Sequence, residues 1–124
     1  MRRPMKKIVI VDDDPSLQDA FRLIFPADTY EVDIYADGSP LFEDQFDVPD
    51  LFILDKQLSG IDGLDICRAL RARKETSGVP IIVLSASPGI RRLALAAGAN
   101  EMLEKPFSIK ALREVVAELM KGEE

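Results

Sequence analysis

The chain has 124 residues, which is enough for one compact domain and too few for two domains of ordinary size. Hydrophobic residues make up 47% and charged residues 31%, so the composition is globular rather than disordered, collagen-like or coiled-coil. With 16 basic and 22 acidic side chains the formal net charge is −6, which disfavours direct binding to the phosphates of nucleic acids.

Histidine is absent and cysteine occurs once, at Cys67. The chain therefore has no imidazole chemistry, no internal disulfide and no thiolate metal site, which leaves carboxylates as its main titratable groups and oxygen-ligand metals as its plausible ions. After the basic start over residues 1–7, the apolar run Ile8–Val11 is too short for a signal peptide or a membrane span. We expect a cytoplasmic protein with no membrane insertion.

In chain order, the first strand is predicted at Ile8–Val11, a β-branched run that ends at a series of aspartates. Asp14 has the position of an N-cap, and it opens a helix over residues 15–25 that begins with proline. Polar and apolar residues alternate in Glu31–Tyr35, which predicts a strand at the edge of a sheet. A short helix is predicted over residues 40–46.

The later elements follow from the same signals, namely apolar runs for buried strands and helical spacing between glycine, proline and serine boundaries. They are a strand at Leu51–Leu54, an amphipathic helix over residues 64–74, a strand at Ile81–Leu84, a short helix over residues 88–97, a strand around Met102–Leu103 and a helix that Ser108 caps. Alternating strands and helices with fully apolar central strands predict a doubly wound α/β fold, with a parallel sheet and helices on both faces.

Polar residues follow four of the predicted strands, at Asp12–Asp13, Asp55, Ser85 and Lys105. Parallel strands bring their carboxyl ends to one edge of the sheet, so these side chains are expected to meet there. Clustered carboxylates repel each other unless a cation neutralises them, which favours a Mg²⁺ site. A carboxylate in such a site can attack phosphorus, while Lys105 and Ser85 contact phosphoryl oxygens.

Each of these residues taken singly is more typical of a turn, a loop hydroxyl or a solvated charge, and Asp14 is best explained as a cap. Their joint placement favours a site, and the motifs around them form a recognisable ordered set. The chain resembles the receiver domain of two-component response regulators over nearly its whole length. The matching segments are Ile8–Pro15, Asp50–Asp55, Leu58–Gly63, Ile81–Ala86, Ala97–Ala99 and Lys105–Phe107.

The resemblance implies a five-stranded parallel sheet of flavodoxin-like order 2-1-3-4-5, with about five helices on both faces. It implies that Asp55 accepts a phosphoryl group from a phosphohistidine on a sensor kinase or phosphotransfer protein. Ser85 matches the switch hydroxyl that moves to the phosphoryl group, and Lys105 matches the lysine that pairs with it. The Lys105–Pro106 peptide bond is expected to be cis.

The same resemblance implies the metal ligands. Asp13 would bind Mg²⁺ directly and Asp12 mainly through water. Asp55 and the backbone carbonyl of Gln57 would complete the protein ligands.

Two departures from the family pattern concern switching. Receivers usually have an aromatic residue three positions before the lysine, and here that position is Met102. The segment from Ser85 to Gly98 is also about two residues shorter than is typical of the family. This region adjoins the face of the last two helices. We expect any dimer to form through that face.

We therefore predict a single receiver domain over residues 1–124, with no output domain, acting as a switch on a downstream protein target rather than as an enzyme. One alternative is a phosphatase similar to the haloacid-dehalogenase type, with Asp12 as nucleophile in an Asp-x-Asp motif. Another is a receiver-like scaffold that binds partners without phosphorylation. This alternative is favoured by methionine, rather than an aromatic residue, at position 102.

Overall fold

The computed structural model of the protein describes residues 5–121, and the structural statements below concern that range. Five parallel strands form the main sheet: β1 (Lys6–Val11), β2 (Tyr30–Tyr35), β3 (Leu51–Asp55), β4 (Ile81–Ser85) and β5 (Glu101–Glu104). Their spatial order is β2-β1-β3-β4-β5, so the predicted order is confirmed and β2 lies at an edge as expected. Residues 1–4 of the basic start lie outside the described residues, as do residues 122–124.

Five α-helices connect or follow the strands: α1 (Pro15–Ile24), α2 (Ser39–Phe42), α3 (Gly63–Ala72), α4 (Arg91–Ala96) and α5 (Ile109–Met120). A single 3₁₀ turn, Pro88–Ile90, precedes α4. The predicted caps are confirmed, because the side chain of Asp14 accepts the Ser16 N–H and that of Ser108 accepts the Ala111 N–H, both at 2.9 Å. Within residues 5–121, no helix is long and apolar enough to cross a membrane.

Alternate residues of each strand point to opposite faces of the sheet and build two separate cores. Val9 and Phe52 lie in the core beneath α2, α3 and α4. Ile8 and Ile53 lie in the core beneath α1 and α5. All four side chains are fully buried, which explains why the central strands are apolar at every position.

The predicted helix over residues 40–46 is wrong beyond Phe42, where α2 ends. Asp44 adopts a left-handed conformation with φ of 58°, which is incompatible with a continuing right-handed helix. Phe46 instead reaches the core from a loop and contacts Phe52 edge-on at a ring-centroid distance of 5.8 Å. The apolar spacing that suggested a helix therefore reflects burial of a loop residue.

A second feature absent from the sequence prediction is a small antiparallel hairpin between β3 and α3. Gln57–Leu58 pairs there with Ile61–Asp62. Gly60 forms its tip with a positive φ of 74°, a conformation that favours glycine. The sequence analysis predicted no element in this segment.

Lys7 is a nearly buried cation that joins β1 to β2 and to the segment before β3. Its ammonium lies 2.9 Å from Asp33, 3.1 Å from Glu31 and 3.6 Å from Asp47, while its backbone N–H donates to Asp50 at 2.8 Å. Burial alone would lower the pKa of Lys7, but hydrogen bonds to Asp33 and Glu31, and the charges of both, outweigh it and raise that pKa. The acidic residues of β2 therefore serve to neutralise Lys7.

Arg71 ties the end of α3 to the loops on either side of β4. Its guanidinium donates to five acceptors at 2.7 to 3.1 Å: the carbonyls of Gly98, Thr76, Ser77 and Val79, and the side-chain oxygen of Asn100. A planar fork of donors suits this convergence of carbonyls, and a lysine ammonium could not reproduce it.

Candidate functional site

The carboxyl ends of four strands place polar side chains along one edge of the sheet. Asp12 follows β1, Asp55 ends β3, Ser85 ends β4 and Lys105 follows β5. The strand register aligns these ends, since Asp55 is opposite Leu84 and Ser85 is opposite Glu104. The shared edge predicted from the parallel topology is therefore present.

Asp12, Asp13 and Asp55 form an acidic cluster at this edge. Each offers one carboxylate oxygen, and these three atoms all lie within 4.8 Å of one another. Asp12 is fully buried and Asp55 is only 4% exposed, whereas Asp13 is open to solvent. The cluster thus has two fixed, buried members and one accessible member.

Lys105 supplies a cation to this cluster from the opposite side of the sheet edge. Its ammonium lies 3.2 Å from Oδ2 of Asp55 and 3.4 Å from Oδ2 of Asp12. Its backbone is fixed by an N–H that donates to the carbonyl of Ser85 at 2.8 Å, and the Lys105–Pro106 bond is cis, as expected. The side chain keeps about a fifth of its surface exposed, so it can be reached from solvent.

The environment of Asp12 disfavours its charged form. Burial raises the pKa of Asp12 above its usual range, and the negative charge of Asp55 adds to this effect. The backbone N–H of Asp14, at 2.9 Å, and the nearby Lys105 oppose the shift without cancelling it. A cation bound beside Asp12 would favour its charged form.

Ser85 and Gln57 lie beside the cluster. Ser85 is 4% exposed, and its hydroxyl accepts the N–H of Ser87 at 3.1 Å. The backbone N–H of Gln57 donates to Oδ1 of Asp55 at 3.2 Å, while the Gln57 side chain is exposed. The roles of the Ser85 hydroxyl and the Gln57 carbonyl toward a ligand stay predictions.

Three residues that the sequence analysis did not assign to the site shape the segment after Asp55. Gly63 approaches the end of β3 so closely that a Cβ atom there would lie 2.1 Å from the carbonyl oxygen of Asp55. Lys56 and Asp62 form an ion pair at 3.1 Å across the hairpin. The close approach of Gly63 to Asp55 depends on the fold, and no local pattern in the sequence signals it.

Met102 occupies the position where the family pattern predicts an aromatic side chain. It is 5% exposed and packs in the core beneath α4. Arg91, the first residue of α4, donates to the Met102 carbonyl at 3.2 Å and contacts the Glu101 carboxylate at 2.5 Å. This position therefore has no counterpart of an aromatic side chain that swings inward. Instead, the Arg91 guanidinium joins α4 to β5.

The donors that meet at this edge are all carboxylate oxygens, accompanied by one ammonium and a nearby hydroxyl. Hard divalent cations prefer such oxygen ligands, and Mg²⁺ in particular binds one or two carboxylates and retains waters. The accessible side of the cluster leaves room for further oxygen ligands at Asp13. The arrangement can therefore hold a divalent ion next to a nucleophilic carboxylate.

Comparison with known proteins gives consistent matches. A family model described as "Response regulator receiver domain" matches residues 8–117. Among curated proteins, the DNA-binding response regulator MtrA of Mycolicibacterium smegmatis is 37% identical over 110 residues, which cover 86% of this chain and 47% of that protein. This chain spans about half the length of the curated relatives it matches.

Two solved structures show the same fold. The receiver domain of the sensor histidine kinase PA1611 of Pseudomonas aeruginosa, with a magnesium ion coordinated in its active-site cleft, has a TM-score of 0.84 and 29% identity, covering 94% of this chain and 98% of that chain. The response regulator TrrA of Thermotoga maritima, in complex with Mg²⁺ and BeF, has a TM-score of 0.80 and 32% identity, covering 93% of this chain and 99% of that chain.

Proposed function

Because this chain belongs to the family of response-regulator receiver domains, we propose that it is a phosphorylation-controlled switch whose phosphoacceptor is Asp55. The observation that supports this proposal most strongly is the ammonium of Lys105, 3.2 Å from Asp55 and 3.4 Å from Asp12, within a cluster of three carboxylates. A nucleophile, its neutralising charge and a set of metal ligands thus lie within one small volume.

In the proposed reaction an oxygen of the Asp55 carboxylate forms a bond to phosphorus as the P–N bond of a phosphohistidine breaks. The imidazole of the donor leaves and takes up a proton, and Asp55 becomes an acyl phosphate. Lys105 is placed to pair with a phosphoryl oxygen, because its ammonium already contacts Asp55 Oδ2. The N–H of Gln57 holds the other oxygen, Oδ1, and so orients the carboxylate.

The donor set fits Mg²⁺, since Asp12, Asp13 and Asp55 present oxygens within 4.8 Å of one another. These three side chains and the Gln57 carbonyl would hold the ion. When bound, Mg²⁺ supplies positive charge that neutralises the charge developing on the transferring phosphoryl oxygens. The two related structures described with Mg²⁺ support this assignment.

The switch itself would act through Ser85. Its hydroxyl now accepts the Ser87 N–H, and in the phosphorylated state it would instead contact the phosphoryl group. Ser87 leads directly into the turn before α4, so this exchange shifts the equilibrium between two arrangements of that segment. Such coupling is typically worth about 1 to 3 kcal/mol. A downstream protein target would read the change.

The phosphatase alternative requires Asp12 as nucleophile. Both carboxylates contact Lys105, but Asp12 is fully buried whereas Asp55 keeps a small exposed fraction. Asp12 Oδ1 also accepts the Asp14 N–H at 2.9 Å, a shorter bond than the 3.2 Å bond from the Gln57 N–H to Asp55. That alternative also requires an acidic pair near the last strand, yet Glu101 is paired with Arg91. These contacts favour Asp55 as the nucleophile.

The test is to incubate the protein with MgCl₂ and a small-molecule phosphodonor such as acetyl phosphate, and to map the modified residue by mass spectrometry after borohydride reduction. We expect modification at Asp55, loss of modification in Asp55→Asn, and slow modification in Asp13→Asn. Modification at Asp12 would support the phosphatase alternative. For the scaffold alternative, unchanged signal response of Asp55→Asn in cells would be the decisive result.

The partners follow from the same proposal, namely a sensor histidine kinase or phosphotransfer protein as donor and a protein target as receiver of the signal. The MtrA relative is named a DNA-binding response regulator and is about twice as long as this chain. We do not extend its DNA binding to this chain. The cytoplasmic location and the dimer through the last two helices stay predictions.

A further inference from the structure

The ion pair between Lys56 and Asp62 fixes the ammonium of the residue that follows Asp55 in the chain. The Cα atoms of Lys56 and Asp55 are about 3.8 Å apart, as for any neighbouring residues, so the long Lys56 side chain starts next to the acidic cluster of Asp12, Asp13 and Asp55. Its ammonium lies 3.1 Å from Oδ2 of Asp62, and its side chain is only 20% exposed. The pairing therefore directs this cation toward the hairpin.

Asp62 can hold Lys56 because the α3 cap fixes its carboxylate through one oxygen. Oδ1 accepts the N–H of Leu64 at 2.9 Å and so caps α3, while Oδ2 is free to meet Lys56. The backbone is also closed here, since the Gly63 N–H donates to the Lys56 carbonyl at 2.9 Å. Lys56 and Asp62 line an open pocket of about 240 Å³ at the hairpin.

We propose that Asp62 is a positioning residue that keeps the Lys56 ammonium out of the acidic cluster and so preserves the affinity of that cluster for Mg²⁺. This inference rests on the proposed function. The cluster already has one ammonium, that of Lys105, in contact with Asp12 and Asp55. A second ammonium turned into it would make the cluster less negative and would occupy carboxylate oxygens that the metal needs.

The effects of substitutions at Lys56 and Asp62 on Mg²⁺ affinity should not be additive. Asp62→Asn keeps a side-chain oxygen for the α3 cap but no longer neutralises Lys56, so the freed ammonium turns to the nearest carboxylates. Lys56→Met removes the competing cation while keeping a flexible apolar stem. The double variant should therefore recover what the single Asp62→Asn variant loses.

The experiment is a MgCl₂ titration of ¹⁵N-labelled protein without phosphodonor, at constant ionic strength, followed through the amide resonance of Asp13. We expect Asp62→Asn to weaken Mg²⁺ binding roughly threefold to tenfold. The double variant Lys56→Met/Asp62→Asn should bind within about twofold of the wild type. Asp65→Asn, which removes an exposed carboxylate from the first turn of α3, is the matched charge control and should have a smaller effect than Asp62→Asn.

Several outcomes overturn the inference. If Asp62→Asn binds Mg²⁺ no more weakly than Asp65→Asn, or if the double variant is as weak as Asp62→Asn, Lys56 does not compete for the cluster. The Leu64 amide shift reports whether the α3 cap survives in each variant. A crystal structure of metal-free Asp62→Asn should place Lys56 Nζ within hydrogen-bond distance of Asp55. If the wild type itself binds no Mg²⁺, the proposed function fails rather than this inference alone.

Discussion

Replacing Gly63 by alanine tests whether β3 and α3 approach each other as closely as the structure indicates. A Cβ atom at position 63 would lie 2.1 Å from the carbonyl oxygen of Asp55 and 2.9 Å from the Cα of Lys56. Both neighbours are backbone atoms, so no flexible side chain can move aside. The hydrogen bond from the Gly63 N–H to the Lys56 carbonyl holds the two segments together and must be distorted as well.

The size of the effect follows from this geometry. Ordinary contact begins at 3.4 Å, so one of the two backbones must shift by about 1.3 Å. Overpacking that forces backbone movement costs typically 1 to 3 kcal/mol, and we expect about 3 kcal/mol because no softer response exists. For a domain of 124 residues this corresponds to a decrease in Tm of about 12 °C.

Thermal and urea unfolding followed by far-UV circular dichroism measure this loss, since the chain contains no tryptophan. Gly78→Ala is the matched control, because a Cβ atom there meets nothing within 4 Å. The control should be neutral or more stable by about 0.4 to 1 kcal/mol. If Gly63→Ala were as stable as Gly78→Ala, the close approach of α3 to β3 would be refuted.

Three further changes test the buried charges, each by urea unfolding. Arg71→Lys should lose about 2 to 3 kcal/mol, because an ammonium cannot satisfy the five acceptors that the guanidinium contacts. Lys7→Met should lose about 1 to 2 kcal/mol at pH 7, since its carboxylate neighbours then repel one another but remain partly solvated. Asp12→Asn should be more stable than the wild type at pH 7 in metal-free buffer, because burial and the charge of Asp55 raise the pKa of Asp12.

Each of these predictions has an internal check. Arg68→Lys alters an exposed arginine that pairs with Asp65 and should change stability by less than about 0.5 kcal/mol. Despite burial, hydrogen bonds to Asp33 and Glu31 raise the pKa of Lys7, so its contribution to stability is present through the neutral range and is lost only above its ordinary pKa. Because folded Asp12 holds its proton to higher pH than unfolded Asp12, the advantage of Asp12→Asn must vanish in acid below the unfolded pKa. A constant advantage at all pH values would contradict the burial argument.

The sheet and its order could be predicted because few arrangements satisfy the pattern of apolar runs. Four-residue runs such as Ile8–Val11 and Ile81–Leu84 can only be buried on both faces, and that requires parallel strands with helices on each side. Parallel strands in turn bring the residues after them to one edge. The meeting of Asp12, Asp55 and Lys105 is therefore a consequence of topology, and the family resemblance is confirmed with it.

Other features depend on contacts that local patterns do not specify. The acidic residues Glu31 and Asp33 keep much of their side chains in water, as their alternation indicates, but they also neutralise Lys7 from the neighbouring strand. The pairing of Lys56 with Asp62 spans a hairpin whose register no periodicity signals, because each of its strands has only two residues. Ion pairs of this kind become visible only when the chain is folded.

The extent of α2 was also beyond the local pattern. Phe46 occupies a position that suits an extended helix, yet the left-handed Asp44 ends that path and sends Phe46 to the core from a loop. Burial of an aromatic ring and helical spacing give the same sequence signal over so short a segment. Tertiary packing decided between them here.

The most direct test of the account is a crystal structure of the protein with MgCl₂ and beryllofluoride, which mimics a phosphoryl group. The account predicts that beryllium is bonded to a carboxylate oxygen of Asp55, that Mg²⁺ contacts Asp13, and that Lys105 and Ser85 contact the fluorides. Beryllofluoride on Asp12, or a metal bound away from Asp13 and Asp55, would contradict it.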